Sequence, residues 1–78
     1  MLNESQINEL EGKLTHLAET HQCKFSVNNE EGMPCFTFMK CNVPLLADVR
    51  MVCEEYGCEG CIESSDSWGY IGVDLNYC

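Results

Sequence analysis

Apolar residues change their spacing along this 78-residue chain in a pattern that repeats. Ile7, Leu10, Leu14, Leu17 and Ala18 recur at three- and four-residue steps, which is one stripe of an amphipathic helix. Glu4, Glu11, Lys13 and Glu19 lie elsewhere on its circumference. Asn3 and Gln6 stand as N-cap and capping-box partner, and Leu2 and Ile7 as a hydrophobic staple, so the helix starts near Glu4. Gly12 falls off the stripe and weakens the middle of the helix by up to ~1 kcal/mol. From Cys23 the period drops to two. Cys23, Phe25 and Val27 alternate with Lys24 and Ser26, and residues 28–32 supply a turn. A second strand over 34–40 carries Phe36 and Phe38 on one face and Cys35, Thr37 and Met39 on the other.

The cycle then restarts. Asn42 is a favoured cap and Pro44 is tolerated in a first turn, which predicts a helix over 44–56 with Leu45, Val49, Val52, Cys53 and Tyr56 inward. Gly57 is its stop signal, in the left-handed position. Residues 58–64 and 68–75 read as a closing hairpin joined through Ser64, Ser65, Asp66 and Ser67, with Ile71, Val73 and Leu75 facing in. A shift of 35 residues lays Leu10 on Leu45, Leu14 on Val49, Leu17 on Val52, Ala18 on Cys53, Cys23 on Cys58, Val27 on Ile62, Phe36 on Ile71 and Phe38 on Val73. One domain built from two copies of an αββ unit, about 3–40 and 42–75, follows. The expected fold is an α+β two-layer sandwich, a four-stranded antiparallel sheet with both helices on one face. Its αββαββ order is a permutation of the ferredoxin-like βαββαβ order. The uncovered face would present Lys24, Ser26, Cys35, Thr37, Met39, Glu59, Cys61, Glu63, Tyr70, Gly72 and Asp74.

Charge sharpens this picture. Four Lys or Arg stand against thirteen Asp or Glu, for a net charge of −9, and residues 51–78 hold six acids and no base. Such a field opposes direct contact with nucleic acid or an anionic membrane and attracts a basic partner. Neither a signal-peptide pattern nor a run approaching ~20 apolar residues is present, so a soluble, cytoplasmic protein is expected. With an odd cysteine count and no export signal, the seven cysteines read as reduced thiols acting mainly as small hydrophobes.

Cysteine spacing offers a competing chemistry. Cys53-x4-Cys58-x2-Cys61 reproduces three plant-type iron–sulfur spacings, with Cys78 or Cys41 as a fourth ligand, and Cys58-x2-Cys61 alone could be half of a zinc site. Against it, Cys53 falls on the inward stripe of a helix, no second close pair exists, and an extended strand would point Cys58 and Cys61 to opposite faces. Thiol catalysis is disfavoured, because Cys58 and Cys61 follow a helix C-terminus among Glu54, Glu55, Glu59 and Glu63, which raise a thiol pKa. His16 and His21 lie about 140° apart on a helix and read as solvated residues. No nucleophile–base set or phosphate loop is visible, so neither an enzyme nor a resident cofactor is expected.

The acidic C-terminal half remains as the candidate site. Glu54, Glu55, Glu59, Glu63, Asp66 and Asp74 would provide charge, and Trp68 and Tyr70 aromatic anchors of the kind found at interfaces. Glu54 and Glu55 sit at the end of a helix that favours cations, a local cost that points toward binding. The plain alternative is a solvated acidic surface. In size, acidity and lack of a catalytic motif the chain resembles the small inhibitors that phages carry against bacterial defence systems, such as anti-CRISPR proteins. That resemblance implies a non-enzymatic inhibitor occupying the basic surface of a nucleic-acid-binding protein.

Overall fold

The asparagine at position 3 does what its sequence position predicts. In a computed structural model, which describes residues 2–30, 33–40, 43–65 and 69–77 apart from the side chains of 30, 43 and 77, its side chain accepts a hydrogen bond from the Gln6 amide at 2.8 Å. The Gln6 side chain accepts one from the Asn3 amide at 3.0 Å. This closed box opens α1 (Glu4–Thr20). It is followed by β1 (Lys24–Glu30), β2 (Met33–Met39), α2 (Val43–Glu55), a 3-10 turn (Glu59–Cys61), β3 (Ile62–Ser65), β4 (Tyr70–Asp74) and a second 3-10 turn (Leu75–Tyr77). The four strands form one antiparallel sheet in the order β1-β2-β4-β3. The α+β architecture and the αββαββ order are thus those the sequence predicts.

The two helices end alike. At α1, Gln22 adopts φ 56° and the Cys23 amide donates to the Ala18 carbonyl at 3.0 Å. At α2, Gly57 adopts φ 69° and the Cys58 amide donates to the Cys53 carbonyl at 3.0 Å. Each is a left-handed C-cap with a six-to-one bond, and the paired residues stand 35 apart. The thiols repeat as well: Cys23 Sγ lies 3.7 Å from the Ala18 carbonyl oxygen and Cys58 Sγ 3.5 Å from that of Cys53. Glycine removes the Cβ penalty at position 57, whereas Gln22 bears it.

The repeat also organises the sheet. In the central pairing Phe36 faces Val73, Phe38 faces Ile71, and Thr37 faces Gly72, its own counterpart under the shift. A pseudo-two-fold axis therefore passes between Thr37 and Gly72. Phe36, Phe38, Ile71 and Val73 point to the helix side, where Leu10, Leu14, Ala18, Leu45, Val49 and Cys53 meet them in one buried core. Leu2 and Ile7 pack against that core from the helix start.

Several boundaries move. The first strand continues through Asn28 and Asn29 to Glu30, beyond the turn expected from 28 onward, because each continues to pair, with Cys35 and Pro34. Residues 58–61 form no strand. They turn through Glu59–Cys61, which leaves Cys58 and Cys61 both buried rather than on opposite faces, and takes Glu59 and Cys61 out of the outer-face row. This turn uses two extra residues. Ile62 therefore faces Val73, as Phe25 faces Phe38, so Ile62 takes the place of Phe25 and not of Val27. A slip of two keeps every side chain on its face. Val27, expected inward, is 39% exposed at the sheet edge.

Candidate functional site

The eight residues singled out by charge and aromaticity divide among the layers of the fold. Glu63 on β3 and Tyr70 and Asp74 on β4 share the sheet face away from the helices: Glu63 pairs with Gly72, between Tyr70 and Asp74 on the same face of β4. Glu59 lies exposed in the turn that enters β3. Glu54 and Glu55 are exposed at the end of α2, in the other layer. Asp66 and Trp68 lie outside the described residues.

Glycine at position 72 shapes the outer face. A Cβ there would stand 2.5 Å from the Tyr70 hydroxyl and 3.0 Å from the ring carbon that bears it. The half-buried Tyr70 ring therefore folds over β4 and occupies the space a side chain would take. Gly72 is buried in consequence. Beside it the Asp74 carboxylate accepts from the Asn76 amide at 3.0 Å and the Asn76 side-chain nitrogen at 2.9 Å, which fixes the start of the last turn. Among the described side chains of this face Glu63 is the exposed carboxylate.

At the helix layer one of the two acids at the end of α2 is compensated, contrary to expectation. Glu55 is bound by Lys13 at 2.8 Å, and the ammonium also lies 5.2 Å from the Tyr56 ring centre. The hydrogen bond to Glu55, followed by that to Tyr56, raises the Lys13 pKa. The partner of the misplaced charge comes from α1, which the local sequence around α2 does not reveal. Tyr56 in turn donates to Glu9 at 3.3 Å.

His21 also departs from its solvated reading. Its Nε2 lies 2.9 Å from Asp48 Oδ2, and its side chain is 16% exposed. The signal for this contact was present in the 35-residue register: Lys13 is the counterpart of Asp48, and His21 of Tyr56. The pseudo-two-fold thus relates Lys13 above Tyr56 to Asp48 beside His21 and ties two antiparallel helices at both ends.

Cysteine chemistry concentrates after α2. Cys53 and Cys58 are buried thiols, the Cys58 thiol donating to the Cys53 carbonyl, and burial pushes Cys53 up to about 12, with Cys58 adding to the shift. Burial also raises Cys58. Cys61 is disulfide-bonded, which corrects the expectation that all thiols are reduced. Cys23, Cys35, Cys53 and Cys58 are reduced. Parity of the count says nothing about proximity, and the Glu59–Cys61 turn carries Cys61 inward against the C-terminal turn. No group of three or more His, Cys, Asp or Glu side chains among the described residues is arranged to hold a metal ion.

One shallow groove of about 450 Å³ runs along the helix layer, lined by Asn8, Glu9, Gly12, Lys13, His16, Leu17 and Val52. Its lining is mostly apolar and open to solvent. No helix among the described residues is long and apolar enough to cross a membrane. Comparisons with protein-family models, curated proteins and solved structures find no match to this chain.

Proposed function

We propose that this chain is a non-enzymatic binding protein that docks the outer face of its sheet on a basic protein surface, that of a nucleic-acid-binding partner. The observation that supports this reading most directly is the grouping of Glu63, Tyr70 and Asp74 on the face the helices leave uncovered, with Glu59 in the adjoining turn. The net charge of −9 draws a cationic partner at long range. Tyr70, held over Gly72, offers an aromatic surface at little cost in side-chain freedom. Occupying the partner's cationic groove in place of phosphates makes the protein an inhibitor of the anti-CRISPR kind. Trp68 and Asp66, named from the sequence, lie outside the described residues; Glu54 contributes to the long-range field, whereas Glu55 is offset by Lys13.

The test is capture at low salt followed by kinetics on the captured partner. Reversing Glu59 and Glu63 to Lys is expected to slow association while leaving dissociation nearly unchanged, and raising salt is expected to do the same. An oligonucleotide is expected to compete with the protein for the partner. An unaltered association rate, or simultaneous binding of oligonucleotide and protein, refutes the reading.

A further inference from the structure

Strand β1 lies at one edge of the sheet, with β2 as its single strand neighbour. It runs for seven residues without proline or glycine. Its helix-side row is thinly covered: Val27 is 39% exposed and Phe25 half-buried. An edge of this length and regularity is a template for a further strand. We propose that the further strand is β1 of a second copy, joined antiparallel about a two-fold axis at Val27.

Three constraints select the register. Two-fold symmetry makes a strand pair antiparallel with itself. The row of Phe25, Val27 and Asn29 must stay on the helix side in both copies, and a slip of one residue would turn one row to the opposite face. Of the registers that remain, the one centred on Val27 engages all seven residues. It sets Val27 against Val27 of the second copy, Phe25 against Asn29, and Ser26 against Asn28. It also brings Lys24 into register with Glu30 at both ends, so fullest overlap and opposite charge select the same arrangement. The product is an eight-stranded sheet with four helices on one face, its acidic β3–β4 ends lying farthest from the axis. Each copy carries a charge of −9, so association is favoured where salt screens exposed charges over about 8 Å.

Sedimentation equilibrium of the full chain at physiological ionic strength, from micromolar to millimolar concentration, is expected to show a monomer–dimer equilibrium. Val27→Lys sets two like charges at the axis and is expected to leave monomer alone. Lys24→Glu and Glu30→Lys are each expected to weaken the dimer roughly tenfold, and the two together to restore it. Circular dichroism checks that each variant folds. Lys24 is exposed on the edge strand, so the charge variants keep the test standing if Val27→Lys fails to fold. A chain that stays monomeric at millimolar concentration overturns the proposal. So does a dimer indifferent to Val27→Lys, which puts the contact elsewhere, as in the groove between the helices. Failure of the double reversal to regain what each single one loses also overturns it.

Discussion

Cys53 shows how burial turns a reactive group into packing material. Its sulfur is fully buried, and ionising it would place a charge among Leu, Val and Phe side chains, so its pKa stands at about 12 against an ordinary 9.0. In the unfolded chain the thiol loses its proton near the ordinary value. Between the two values the folded chain binds the extra proton, so this contribution to stability is complete below about pH 9 and is lost as pH rises through 12. Cys58 shifts in the same direction and adds to the trend. Denaturant midpoints are therefore expected to hold steady near neutrality and fall above pH 9, and Cys53→Ala to flatten that fall. An equal fall in the variant would show that other groups cause it.

At the scale of the element, the ends of the helices were more legible than the strands. The capping box at Asn3 and Gln6 is written in adjacent residues and satisfies two amide donors that α1 leaves open, so local sequence suffices to find it. Asn3→Ala is expected to lower unfolding free energy by about 1 kcal/mol in a denaturant titration, with Asn3→Asp close to the parent. The C-terminal caps were half legible, since Gly57 announces a left-handed residue and Gln22 does not. The second element of the second unit reads as a strand from 58 because Cys58, Cys61 and Ile62 are apolar at any period. Only their burial against Leu75 and the core tells a turn from a strand. His21 with Asp48 and Lys13 with Glu55 escape local reading for a different reason, and only the 35-residue register relates the two contacts. Such pairs are made by the crossing of two helices, which no single window of sequence contains.

Across the whole molecule the contrast is between a helix layer in which Lys13 pairs with Glu55 and His21 with Asp48, and a sheet face on which Glu63 stands exposed. Lys13 is used within the fold, and Glu63 is left to solvent. The acidity of the chain was plain from its composition, but its distribution over two layers was not, because it depends on the register between β3 and β4. The axis through Thr37 and Gly72 has a further consequence. Each αββ half owns one helix and a single hairpin, too little for independent stability, and each half completes its core only with the central strand and helix of the other. A chain severed between β2 and α2 is thus expected to behave as two complementary fragments. Each alone should give a coil-like spectrum, and mixing them should regenerate the ellipticity of the intact chain with bimolecular kinetics.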